Sequence, residues 1–338
     1  MIRRIIFAIL LLCMLLPLSA LELRDGKLKL IVDERSGRFS LYHQVSANQW
    51  LALLYDEENK TTYPTLLLDQ KTYKLGESSE FRTVVTSTTT AIRIEYRASF
   101  CTVVQSLNLV KSSTSSVSNG LRIDFEITNT GQADVAIGLR YLFDTWLGEQ
   151  AGRHFYDMFG SVVNNESKLS ETSSYLISSA DSKTGLIIET DTVESPSSII
   201  LANWKRLNDS PWNFDILNTR NFTLLPYSIN DSAVALYYDS KTLRRGASRN
   251  FSIVLGAAYS GTFLTASSVA SSETVPIMTQ LLDAEKVVQL DLETDLSAAK
   301  EILEELNDLL KAAEAIDSTA IDQLESVLDK LEQRQGSY

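Results

Sequence analysis

From Leu28 to about Tyr259, apolar and polar residues alternate with a period of two. In "IRIEYRASF", Ile92, Ile94, Tyr96, Ala98 and Phe100 fall on one side and Arg93, Glu95, Arg97 and Ser99 on the other. "LRIDFEI" repeats the pattern, with Leu121, Ile123, Phe125 and Ile127 opposed to Arg122, Asp124 and Glu126. Such alternation marks antiparallel strands with one buried face. "KLKLIVD" and "RFSLYH" flank "ERSG", which predicts a hairpin whose Gly37 takes positive φ. "NTGQAD" reads as a turn before the strand "VAIGLRYLF", and "TGLIIET", "SSIILAN", "AVALYY" and "FSIVLGAAY" follow as strands. No segment of helical period interrupts them. Many strands joined by polar turns predict a mainly β fold, a sandwich or barrel and not a doubly wound sheet.

The period then changes. Residues 261–274 are small and polar and read as a linker. In 275–334, Leu292, Leu296, Ala299, Leu303, Leu306, Leu310 and Ala313 are spaced four and three apart by turns, the a/d seam of an amphipathic helix. "DST" at Asp317–Thr319 offers an N-cap, and Ile321, Leu324, Leu328 and Leu331 form a second, shorter stripe. The short connection predicts an antiparallel helical hairpin.

The first twenty residues have another character. Arg3 and Arg4 precede "IIFAILLLCMLL", and "PLSA" ends at Ala20, the layout of a secretory signal peptide over 1–20. No later apolar run is long enough to cross a bilayer. The expectation is an exported chain, without a transmembrane segment after cleavage. Of the two cysteines only Cys101 would then remain, which excludes an intramolecular disulfide and a cysteine-based zinc site. Export without disulfides points to a bacterial periplasm, or to the extracellular space. Net charge is −12, and residues 291–334 alone carry thirteen acidic against four basic residues. Nucleic acid is excluded as a partner by that balance.

Candidate chemistry centres on "RYLFDTWLGEQAGRHFYDMF", Arg140–Phe159. Val135, Ile137, Leu139, Tyr141 and Phe143 alternate as one strand face. Asp144 comes just past that strand, and Gly148 and Gly152 permit a tight loop. Short polar side chains such as Asp144 and Thr145 also bond loop amides, which is a structural use. Asp144, Glu149, Asp157 and Asp231 lack the D-x-D-x-D-G spacing of a calcium loop, so no metal is expected. No G-x-S-x-G elbow, phosphate-binding glycine loop or HExxH is present, and no cofactor is expected. Trp146, Trp204 and Trp212 could stack on sugar rings, although large sandwiches also bury aromatics for volume.

An ordered set of segments carries a family likeness: "DERSGRFSL", "LGESSEF", "LRYLFDTWLGEQAGRHF", "IILANWKRL" and "DSAVALYYDSKTLRRGASRNFSIVLGAAY". With them the chain resembles bacterial β-supersandwich domains of the galactose-mutarotase-like type, found in exported or surface proteins. The D-T-x-L-G-x-x-x-G segment of such domains corresponds to Asp144, Thr145, Leu147, Gly148 and Gly152. The N-W dipeptide corresponds to Asn203–Trp204. The resemblance implies a large, two-layer, antiparallel β-supersandwich over 21–260, and it leaves the helical segment uncovered. It does not imply a reaction, because fold does not fix function.

Mutarotation needs a carboxylate as general base and a histidine as general acid. Glu149 or Asp144 with His154 could supply that pair, but neither histidine of the chain, His43 or His154, stands in a mutarotase motif. The leading expectation is therefore a non-enzymatic exported binding or assembly protein. Its β platform would carry Asp144, Trp146, Trp204 and Trp212 as binding candidates. Its arm, through Leu296, Leu303, Leu306 and Leu310, would meet an envelope protein or a second copy. The alternatives are a carbohydrate-binding module of the cell envelope, and a sugar epimerase or lyase.

Overall fold

The computed structural model describes residues 20–257, apart from 58–59, 113–114, 150–151, 170–173, 179–184 and 191–192. Of the leader expected over 1–20, residues 1–19 lie outside the described residues, as do the linker and the helical hairpin, while Ala20 opens the first strand.

In chain order the strands begin with β1 (Ala20–Asp25), β2 (Leu28–Asp33), β3 (Phe39–Ser46), β4 (Gln49–Ala52), β5 (Tyr63–Leu68) and β6 (Lys71–Lys74). The long central strands are β7 (Arg82–Ser87), β8 (Ala91–Arg97), β9 (Cys101–Val110), β10 (Gly120–Asn129) and β11 (Val135–Thr145). Short ones follow: β12 (Phe155–Tyr156), β13 (Val162–Val163), β14 (Ser167–Leu169), β15 (Tyr175–Ser178) and β16 (Leu186–Glu189). Then come β17 (Ser198–Asn203), one helix, α1 (Trp204–Asp209), and the closing strands β18 (Ser232–Leu243) and β19 (Ser248–Ala257).

Two large antiparallel layers face each other. One has nine strands, ordered β13-β12-β15-β16-β19-β10-β9-β8-β7, and the other six, ordered β14-β17-β18-β11-β5-β6. The predicted alternation sets the core. Ile92, Ile94 and Tyr96 of β8 and Leu121, Ile123, Phe125 and Ile127 of β10 are buried, while Arg93 and Glu126 stay exposed. They meet Ile137, Leu139, Tyr141 and Phe143 of β11. The rings of Phe125 and Tyr141 touch across the layers at 5.6 Å, and the amide of Gln105 donates to the Tyr141 hydroxyl at 3.1 Å.

The two-layer expectation needs one addition. β1 to β4 form a separate four-stranded meander, whose Leu23, Leu28, Leu30, Val32, Phe39 and Leu41 join the same core. The predicted β2–β3 hairpin is part of it. Gly37 has φ +71, and its N–H donates to Asp33 O at 2.8 Å. A side chain there would strike Ile94 and the Tyr96 hydroxyl, at 2.5 and 2.6 Å.

Three sequence expectations are corrected. "IRIEYRASF" is not one strand: β8 stops at Arg97, and the N–H of Ala98 turns back to Cys101 O at 2.9 Å. Asp144 is not past β11 but inside it, paired with Ala233 of β18. The run is also interrupted by helix α1, whose N-cap Asn203 accepts the N–H of Arg206 on its side-chain oxygen at 3.3 Å. Six residues are too few to display a helical period.

Helix α1 has a packing consequence. It covers the outer face of the six-stranded layer, where Tyr63, Leu142, Ile200, Ala235 and Tyr237 form a second apolar cluster with Leu207. A layer covered on both faces loses its period-two signal, which is why "YPTLLL" is buried at every position. Arg140 also points into this face. It is fully buried, donating to Leu207 O at 2.7 Å at the end of α1 and to the Tyr63 hydroxyl at 3.3 Å. A cation at a helix C-terminus satisfies carbonyls the helix leaves open.

Candidate functional site

The candidate residues gather where β11 and β17 end and β18 begins. In the register, Thr145 and Asn203 both pair with Ser232 from opposite sides. Three carboxylates from three segments converge at this corner: Asp144 inside β11, Glu149 in the loop after it, and Asp231 just before β18.

Each carboxylate has a local partner. Asp144 is bonded by Thr61, while its N–H donates to Thr62 Oγ1 at 3.0 Å and its carbonyl takes the N–H of Tyr55 at 3.0 Å. Glu149 Oε1 accepts the N–H of Ser232 at 2.9 Å. Asp231 is bonded by Ser228. Burial pushes all three carboxyls above their ordinary range. Asp144 is raised well up, with Asp231 and Glu149 adding to the effect, and Glu149 rises to about 7 with Asp231 adding. Desolvation and like charge act in the same direction here.

His154 does not join them. It is buried, its ring edge-on to Phe222 at 4.6 Å, and burial depresses it to about 4. Its Nδ1 has no hydrogen-bond partner, while its main-chain N–H donates to Asn164 Oδ1 at 3.2 Å. No hydrogen bond or ion pair connects it to Glu149 among the described residues. His43 is fully buried and also depressed to about 4, by burial first and Lys27 second.

The tryptophans are placed by their indole N–H groups. Trp146 donates to Ala52 O at 3.2 Å and Trp204 to Thr61 O at 2.9 Å, so both flank the corner. Trp212 lies elsewhere. It packs on the outer face, edge-on to Tyr237 at 5.5 Å, and its ring approaches Gly138 in the β11 bulge. Of the two loop glycines only Gly152 has positive φ, +65.

Asn203 organises the corner, and the sequence offered only the N-W dipeptide as its signal. Its amide donates to Phe222 O at 2.8 Å, Ser228 Oγ at 2.9 Å and Asp231 O at 3.1 Å, while its oxygen caps α1. Among the described residues, no group of three or more His, Cys, Asp or Glu is placed to hold a metal ion. An open groove of about 570 Å³ lies at the far end of β11, lined by Leu68, Tyr73, Phe100, Gln132 and Val135. None of the candidate residues lines it.

No protein-family model matches the chain, and no curated protein does. Solved structures do. A galactose mutarotase-like protein from Lactobacillus casei is 11% identical, covering 71% of this chain and 100% of its own, with a TM-score of 0.45. A GalM/aldose epimerase homologue from C. elegans is 12% identical over 71% of this chain and 99% of its own, with a TM-score of 0.48. A galactose mutarotase related enzyme from Lactobacillus acidophilus is 11% identical over 73% and 100%, with a TM-score of 0.42.

Proposed function

We propose that this chain is an exported, non-catalytic binding protein whose β-sandwich serves as a platform. One observation carries the reading: the acid–base pair that sugar chemistry would need is not assembled. Both histidines are buried and held neutral, at 0% and 3% exposure, and His154 faces Phe222, not Glu149. A general acid must reach the atom it protonates, and neither imidazole reaches solvent. The carboxylates of the corner are occupied with Thr61, Ser232 and Ser228. Export and the helical arm enter this proposal from the sequence: the leader over 1–20, and the seam through Leu296, Leu303, Leu306 and Leu310. The arm's partner is an envelope protein or a second copy of the chain.

The test has two parts. Polarimetry on glucose and galactose should give no mutarotation above the uncatalysed rate. Turnover that disappears in Glu149→Gln would overturn the non-catalytic reading. Leu303→Asp with Leu306→Asp in the full chain should abolish capture of the envelope partner or self-association, because charge is placed in an apolar seam. Unchanged association would move the binding surface onto the β domain.

A further inference from the structure

The segment Phe222–Asp231 forms a small, pre-ordered ribbon. Asp231 N–H donates to Phe222 O at 3.1 Å, and Asn230 N–H to Thr223 Oγ1 at 3.1 Å. Leu224 and Ser228 exchange both main-chain hydrogen bonds, each 2.9 Å. The base is clamped by Asn203, which bonds Phe222, Ser228 and Asp231, and by fully buried Phe222. Among the described residues, no comparable clamp holds the tip. Leu225, Tyr227 and Ile229 are 71%, 68% and 71% exposed, while most described residues of these types elsewhere are buried or half-buried.

The geometry points to this ribbon tip as a membrane-surface contact that inserts Leu225, Tyr227 and Ile229 into the interface of a zwitterionic bilayer. Three observations favour lipid as the occupant. First, the three exposed apolar side chains fall within five residues of a ribbon clamped at its base, so they suit a medium that yields around them. Second, it joins two aliphatic side chains to a tyrosine, whose amphipathic ring favours the level of the headgroups. Third, residues 217–230 hold no acidic side chain and include Arg220, which can meet a lipid phosphate. Lys205, whose Nζ lies 5.1 Å from the Tyr227 ring, is ion-paired with Asp209 at 2.6 Å. The net charge of −12 disfavours strongly anionic surfaces, which leaves a zwitterionic one.

The experiment is amide hydrogen exchange on the full chain, with and without phosphatidylcholine vesicles. Peptides covering 217–231 should exchange several-fold more slowly with vesicles present. This local reading separates the ribbon from the apolar N-terminal residues of the same chain. Leu225→Ser, Tyr227→Ser and Ile229→Ser together should abolish the slowing and leave the melting temperature unchanged, because all three side chains are exposed. Should that triple variant fail to fold, Tyr227→Ser alone should weaken the slowing. Exchange at 217–231 that ignores vesicles overturns the inference, and so does slowing that persists in the variants. Slowing produced only by an added protein also overturns it, and makes the ribbon a protein-docking tip.

Discussion

Glu149 Oε1 accepts the main-chain N–H of Ser232 at 2.9 Å, tying the loop after β11 to the first residue of β18. Its neighbour Asp231 carries a like charge, and no cation contributes to either group. The bond therefore holds two loops together while it concentrates carboxylates.

That arrangement sets a pH dependence. Glu149 rises from 4.5 to about 7 on folding, and Asp144 and Asp231 are raised too. A raised acid binds its proton more tightly in the native state. Its stabilisation is complete below the unfolded value and is lost as pH climbs through the folded one. The contribution of Glu149 to the melting temperature should fall as pH rises from 5 to 7, against the gain from His43 and His154 over the lower part of that range, so it is read as the difference between the wild type and a Glu149 variant. Glu149→Gln keeps an acceptor for Ser232 and should flatten part of that fall, as thermal melts across the range would show. An unchanged slope would mean that Glu149 is not raised.

The histidines act on the other side. Burial depresses His154 from 6.5 to about 4, so its stabilisation is present above pH 6.5 and lost as pH falls toward 4. His154→Ala should cost about 2–4 kcal/mol through the cavity left beside Phe222. His154→Phe should cost under about 1.5 kcal/mol, because it keeps the ring and removes an unpaired buried nitrogen. Urea titrations at pH 7 would distinguish the two. A larger loss for Phe than for Ala would show that the imidazole has a polar role.

Asn203 serves the ribbon and the helix through different atoms. Asn203→Asp keeps the cap on Arg206 but loses the amide donors, and should cost about 1–3 kcal/mol. Asn203→Ala loses the cap as well, and should cost about 0.5–2 kcal/mol more. Amide exchange should open Phe222–Asp231 in both variants and α1 only in the second.

Asp144 has a structural role that its partners define. Asp144→Ala loses the bond with Thr61 and should lower stability by about 0.5–2 kcal/mol. Asp144→Asn removes a buried carboxyl that is held well above its ordinary range, and should cost less than Ala at pH 8. A greater loss for Asn than for Ala in a denaturant titration would show that the ionised form is required.

What the chain alone determined is the local, periodic part. Ile92, Ile94 and Tyr96, and Leu121 through Ile127, read as inward-facing from spacing alone, because a strand covered on one face must alternate. Gly37 was legible because a tight turn needs positive φ and a glycine supplies it. Tertiary structure decided the rest. Leu142, Arg140 and Asp144 share the other face of β11, which spacing assigns to solvent. Helix α1, the loop after it and the loops beside Thr61 and Thr62 come from distant parts of the chain and bury that face. The corner is likewise non-local. Asp144, Glu149 and Asp231 meet because β18 pairs with β11 across about ninety residues, a register that no short window of sequence records. Glu149 and His154, five positions apart, part company for the same reason. One reaches toward β18, while the other turns into the aromatic packing around Phe222.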